Sequence, residues 1–303
     1  MLYPDLWLMI AKRLESDQAS IMSLMTVSKT TYGALLPVLY STVTLYNNES
    51  ISLFCDSISL PVSSQRSDLV KSLRIVPGYS TPSWQLVSIA PRIRTILGTL
   101  KNLEQLTLTL TPTPSAGELF QGLECTFRLT HLACYCYPDD HFAGFLQQQT
   151  SITHLNLRSY TRAHWGARPT VGLVNHYNRR LASQIPFLPN LTSITGDSIA
   201  LKLPCAGRPI SQVAITELLP THGDALAESI SLSTVPVRSV IVEITTWHEW
   251  QDEVLLLLDP LKSTSAVSTI VDLRILFDSV STLITDLMLQ TKSAAIFSRD
   301  PHR

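Results

Sequence analysis

The chain has 303 residues, of which 45% are hydrophobic and only 16% charged, against about 25% charged in an average globular protein. Its 23 Lys and Arg residues nearly balance 24 Asp and Glu, for a formal net charge of −1, which argues against the basic footprint of a nucleic-acid-binding domain and against a mainly disordered chain. Compact apolar runs such as residues 254–258 fall far short of the ~18 residues of a membrane span, so neither nucleic acid nor membrane is expected as a partner.

In chain order, Leu6, Trp7, Ile10 and Leu14 fall at helical spacings and make one apolar stripe. Ser16 and Asp17 can open a second helix, in which Ile21, Leu24 and Val27 recur every third residue. Tyr32, Leu35, Leu36 and Leu39 continue the pattern, with Pro37 marking a break or a fresh helix start. Three helices in so short a stretch make a thin core, and modules below ~40–50 residues usually need a partner or neighbouring domain. The charges Lys12 and Arg13 follow the apolar stretch, whereas a secretory leader carries them first. Cys55, Cys125, Cys134, Cys136 and Cys205 show no framework spacing, which suits free thiols in a reducing compartment. Cytoplasm or nucleus is therefore the expected location.

Leu2, Asp5, Leu6, Trp7, Ile10 and Leu14, followed by Leu24-Met-Thr-Val-Ser-Lys29 and Leu36-Pro-Val-Leu-Tyr40, resemble an F-box, in the style common in fungal F-box proteins. The family pattern opens on Leu-Pro, with an acidic residue two positions later. Here Tyr3 takes the proline position, Pro4 is displaced by one, and Thr31 stands where the family carries Trp or Phe. The resemblance covers residues 1–45. It implies docking onto the Skp adaptor of SCF-type cullin-RING ubiquitin ligases, and through it onto cullin. Burying one Leu, Ile or Val contributes ~1.5–3 kcal/mol, while association costs about 4–15 kcal/mol, so a broad apolar face is required. Leu2, Pro4, Leu6, Trp7, Ile10, Leu14, Ile21, Leu24 and Val27 are the adaptor-binding candidates, shared between that face and an internal core.

Beyond Tyr40, short β-like runs recur at 70–75, 100–108, 129–134, 152–157, 188–194, 210–215, 237–242 and 270–275; the clearest, 100–108, reads L-x-x-L-x-x-L-x-L. The steps from Leu106 to Leu132 and on to Leu155 are 26 and 23 residues, within the ~20–29 of a leucine-rich repeat. The step from Leu155 to Ile194 is 39. Segments 115–123, 140–149, 171–185, 223–231 and 247–258 read as helical crossovers, and 61–68 and 75–91 as loops. The expected fold is thus α/β, a short N-terminal three-helix F-box at 1–45 followed over 46–303 by an irregular leucine-rich-repeat-like solenoid, or horseshoe; the alternative is a generic α/β domain with several Leu-rich strands. Solenoids bind partners on the concave face. Gln105, Thr107, Thr109, His154, Asn156 and Arg158 are expected there, flanking the inward leucines. The loop bearing Arg162, His164, Trp165 and Arg168 adds residue types enriched at binding hot spots, and Arg forks suit carboxylate or phosphate. The competing reading is a solvated loop whose Trp packs down.

Chemistry-bearing motifs are missing: no G-x-G-x-x-G, P-loop, G-x-S-x-G, H-E-x-x-H or paired C-x-x-C occurs. On a strand, Cys134 and Cys136 would share a side near His141, although buried Cys equally behaves as a small hydrophobe. Trp247 and Trp250 lie one helical turn apart and read as core packing. The expectation is a non-catalytic receptor without metal or cofactor, the substrate-recognition subunit of an SCF-type ligase presenting an unknown protein target. The alternative is an interaction scaffold without ligase role, and an enzyme or metalloprotein ranks third.

Overall fold

The computed structural model describes residues 4–14, 17–59, 64–76, 83–110, 119–135, 140–157, 188–196, 207–216, 226–227, 230–244, 259–261 and 269–277. Helices α1 (Pro4–Arg13), α2 (Gln18–Met25) and α3 (Lys29–Ser41) come first. Then follow β1 (Thr42–Leu45), α4 (Asn48–Ser59), α5 (Ser64–Ser67), β2 (Ser72–Ile75), α6 (Ser83–Thr99), β3 (Gln105–Thr109), β4 (His131–Tyr135) and α7 (Asp140–Gln148). The later strands are β5 (His154–Leu157), β6 (Ser193–Gly196), β7 (Gln212–Thr216), β8 (Ser239–Ile244) and β9 (Asp272–Phe277). The chain divides into two compact units, one within Met1–Ile152 and one from Thr153 onward.

Each helix start has a local cause. Asp17 caps α2, accepting from Ser20 N at 3.1 Å and from Ser20 Oγ at 2.6 Å. Ser28 Oγ accepts from Thr31 N at 3.1 Å at the head of α3. Asn47 and Ser50 cap α4 reciprocally: Ser50 N donates to Asn47 Oδ1 at 2.7 Å and Asn47 N to Ser50 Oγ at 3.2 Å. Pro37 neither breaks α3 nor restarts it. The carbonyl it leaves without an N–H donor belongs to Gly33, and both residues are exposed, so water can satisfy that group. The hydrogen bonds from Ser20 hold the Asp17 carboxyl below its ordinary value of 3.8. A depressed folded value means that this cap contributes fully above the ordinary carboxylate value and is lost only as pH falls through the lower folded value. The Ser20 amide resonance should therefore titrate with a midpoint below 3.8, and Asp17→Asn should abolish that titration; a midpoint at or above the ordinary value would contradict the cap.

The three helices share a small core of Ala11, Ile21, Met25 and Leu35, with Trp7, Leu14, Leu24, Leu36, Val38 and Leu39 packed around it. Within the first unit, β1 to β4 pair in chain order and in parallel. Alternate residues point to one side, so Leu73, Ile75, Leu106, Leu108, Leu132 and Cys134 are all buried. On α4, Ile51, Phe54, Cys55 and Ile58 are buried at i, i+3, i+4 and i+7, and α4 packs against α6. Phe120, Phe142 and Phe145 cluster, the closest pair, Phe120 and Phe145, stacking at 4.2 Å between ring centroids. In the second unit, β5 to β9 also pair in chain order and in parallel. Leu155, Ile194, Val213, Ile215, Val240 and Val242 are buried there with Leu226, Ile230 and Leu261.

Register is fixed just ahead of the strands. One carbonyl per turn accepts two N–H groups from the next strand entry: Lys71 O takes Glu104 and Gln105 N, and Glu104 O takes Thr130 and His131 N. In the second unit Thr153, Thr192, Ser211 and Arg238 carbonyls do the same. Side chains clasp the turns as well. Asn102 Nδ2 donates to Asp68 O at 2.7 Å, Thr126 Oγ1 to Leu100 O at 3.2 Å, and Thr269 Oγ1 to Val237 O at 3.2 Å.

This arrangement overturns the expected F-box-plus-horseshoe architecture. Among the described residues, β1 to β4 and β5 to β9 form two runs of parallel strands, with helices interleaved in the first, an α/β fold. No residue separates α3, which ends at Ser41, from β1, which begins at Thr42. Nor do the connections share a unit: strand-to-strand steps run from 19 residues (Ile194 to Val213) to 39 (Leu155 to Ile194). The proline-containing stretch 75–91, expected as a loop, contributes the first half of α6. Of the expected crossovers, 140–149 is α7; segments 171–185 and 247–258 lie outside the described residues, as do Trp247 and Trp250. No helix among the described residues is long and apolar enough to cross a membrane.

Candidate functional site

Two surfaces of the first unit combine chemistry and exposure. The first lies on the N-terminal helices. Leu6, Met9 and Ile10 are exposed at i, i+3 and i+4 of α1, which places them on one helix face. Met22 on α2, Val27 just after it and Tyr32 on α3 are exposed too, and Met9, Met22 and Val27 each keep about 60% of their surface in solvent (64%, 59% and 64%). Single exposed apolar residues are ordinary, but six large ones in 27 residues form a notable concentration.

The expected adaptor-binding residues divide between this face and the core. Leu6, Ile10 and Val27 are exposed. Trp7, Leu14 and Leu24 are half-buried against the helical core, and Ile21 lies inside it. Pro4 begins α1; Leu2 lies outside the described residues. Met9 and Met22 were missed because attention to the Leu/Ile stripe passed over the flexible thioethers beside it, which suit adaptable interfaces. Thr31 is buried, with its hydroxyl 2.7 Å from Ser28 Oγ, while neighbouring Tyr32 is exposed.

The second surface is the side of the sheet opposite the core. Strand pairing aligns Thr42, Ser72, Gln105 and His131 in one row and Thr44, Arg74, Thr107 and Ala133 in the next, with Thr109 beside Tyr135. Burial alternates accordingly: Leu106 and Leu108 are buried, Gln105 is exposed, and Thr107 and Thr109 are half-exposed. At one rim Lys71 Nζ pairs with Glu104 Oε1 at 3.5 Å. His131 Nδ1 lies 2.9 Å from Thr130 Oγ1, whose hydroxyl is also 3.1 Å from Glu104 O. A hydroxyl donating to that carbonyl leaves its oxygen to accept from Nδ1–H.

Gln105 and Thr107 thus belong to the first unit. His154 and Asn156 belong to the second, in register with Ser193 and Thr195. His154 repeats the pairing with its own neighbour, Nδ1 lying 2.9 Å from Thr153 Oγ1. Asn156 Oδ1 is covered and has no hydrogen-bond partner. Arg158, Arg162, His164, Trp165 and Arg168 lie outside the described residues.

Cys134 is buried on the core side of β4, and Cys136 lies outside the described residues. Among the described residues, no three His, Cys, Asp or Glu side chains come together as metal ligands. Cys125 is half-exposed. Desolvation pushes its pKa up to about 11, with a hydrogen bond from Gln149 opposing the rise. Its thiolate is therefore scarce near neutral pH, and alkylation by iodoacetamide should be slow in the folded chain, accelerating as pH approaches about 11. Modification at pH 8 as fast as that of a free cysteine would contradict this environment.

No protein-family model matches the chain, and neither does any curated protein sequence.

Proposed function

We propose that the protein is a non-catalytic substrate receptor of an SCF-type ubiquitin ligase. Helices α1 to α3 dock onto the Skp adaptor, and the outward side of the parallel sheet holds the protein target. The observation that carries this reading is the apolar set Leu6, Met9, Ile10, Met22 and Val27, exposed on a helical core too small to bury it. The same segment resembles an F-box in residue order. Catalysis would then come from proximity, since tethering the target makes ubiquitin transfer effectively intramolecular. The fold supports such a role, because α3 passes into β1 without a linker and Arg66 stacks over the Tyr40 ring at 5.8 Å. Any partner held by the helices is thereby held at a set geometry from the first-unit sheet.

A scaffold without ligase role is the second reading, favoured by Thr31. A small buried hydroxyl stands where the F-box pattern carries a large aromatic. The two readings separate in one experiment: affinity purification of the full chain followed by mass spectrometry. The receptor reading expects the Skp adaptor and cullin together. Adaptor without cullin would favour the scaffold, and recovery of neither would remove the basis for both.

A further inference from the structure

We propose that the outward face of β1 to β4 binds an acidic peptide segment, taking an Asp or Glu carboxylate on Arg74. The inference rests on the reading of that sheet as the target-holding surface and names the chemistry it would take. Among the described residues, the outward positions on these strands are Thr42, Thr44, Ser72, Arg74, Gln105, Thr107, Thr109, His131, Ala133 and Tyr135. Among these described positions there is no carboxylate, and Arg74 is the one permanent charge, because the Lys71–Glu104 pair at the rim cancels itself.

The second unit supplies an internal comparison. Arg274 occupies an outward position on β9 and is answered from within its own strand by Asp272, with Nη2 at 2.9 Å from Oδ2 and Nε at 3.1 Å from Oδ1. Two residues before Arg74 stands Ser72, not an aspartate. Arg74 is exposed and takes part in none of the ion pairs among the described residues. A guanidinium fork matches a carboxylate with two parallel hydrogen bonds, as the Arg274–Asp272 pair shows within this chain. Thr44 and Thr107, in register on either side of Arg74, add hydroxyl donors where a bound carboxylate would sit. An exposed guanidinium with no acid beside it among the described residues repels cationic segments and favours anionic ones, giving specificity as much as affinity.

The test is fluorescence anisotropy on the purified full-length chain. The probes are labelled Gly-Ser peptides carrying spaced glutamates, the same peptides with glutamine, and the same with phosphoserine. The glutamate peptide should bind about tenfold more tightly than the glutamine peptide at low salt, the scale of one charge-assisted contact. Arg74→Ala should erase that preference. Ser72→Asp, which copies the Asp272 arrangement, should erase it too by occupying the fork internally, whereas Lys29→Ala on α3 should leave it intact. Circular-dichroism melts should coincide for all variants, as the altered side chains lie outside the core. Equal binding of the glutamate and glutamine peptides, or a preference that survives Arg74→Ala, would overturn the proposal. An Arg74-dependent preference for phosphoserine over glutamate would overturn the assignment to a plain carboxylate. Adaptor capture measured on the Arg74 and Ser72 variants reports on the receptor reading separately, since both positions lie outside α1 to α3.

Discussion

A chain carrying Ile10→Lys and Val27→Lys is expected to lose at least about a hundredfold in affinity for the Skp adaptor while melting at nearly the wild-type temperature. Both side chains are exposed, so their replacement removes little from the internal core of Ala11, Ile21, Met25 and Leu35. A lysine at position 10 also lies in the last turn of α1, where the helix dipole favours a cation. At an apolar interface the balance reverses. Each substitution forfeits about 1.5–3 kcal/mol of burial and brings an ammonium to be desolvated without a partner. Two such losses amount to roughly 3–6 kcal/mol, and 1.4 kcal/mol is about a factor of ten. Biolayer interferometry against immobilised adaptor, paired with thermal melts, measures both quantities. Adaptor affinity within a few-fold of wild type would place the docking surface elsewhere.

The largest effect on stability is expected at Gln149, a polar side chain with no exposed surface just beyond α7. Its Oε1 accepts from Leu129 N at 2.9 Å and its Nε2 donates to Phe127 O at 3.4 Å, pinning the turn that leads into β4. Gln149→Leu keeps the volume and removes both partners. A buried backbone group left unsatisfied costs about 1–3 kcal/mol, so losing two should cost roughly 2–6 kcal/mol in urea denaturation. Gln149 also donates the hydrogen bond that restrains the rise in the Cys125 pKa. The same variant should therefore shift thiol titration further upward. A loss below about 1 kcal/mol would mean that water replaces the amide at no great cost.

The sequence made the strands legible and the connections obscure. Every Leu-rich run read as a strand contains one, because alternation of buried and outward residues is written directly in patterns such as Leu106-Thr-Leu108. Strand β1 escaped because Thr42-Val-Thr-Leu45 is short and holds only two apolar residues. Helix α6 escaped because Pro91 reads as a breaker, yet this exposed proline sits mid-helix. The architecture was misread for a related reason. A run of leucines records which side of a strand is buried, but does not record what joins one strand to the next. Taking two near-equal steps as a repeat unit extended a local regularity over connections that have none.

The candidate surfaces were legible to different depths. Leu6, Ile10 and Val27 were found because motif order marked them, but the same stripe could not separate them from Ile21, which faces inward. Gln105 and Thr107 followed from strand alternation. Arg74 was passed over because its run is a looser version of the leucine pattern. Its importance emerges only when pairing sets it between Thr44 and Thr107 and the Asp272–Arg274 pair shows what Arg74 lacks. Isolated residue types carried the first surface, and register was needed for the second.

Docking of the N-terminal helical face onto the adaptor is the central proposal for this protein. Isothermal titration of the full-length chain with purified Skp adaptor at several temperatures tests it most directly. The prediction is a saturable single-site complex with a negative heat-capacity change, the mark of apolar burial, and loss of that signal in the Ile10→Lys, Val27→Lys variant. Absence of binding by the wild-type chain, or an equal heat-capacity change in the variant, would contradict it.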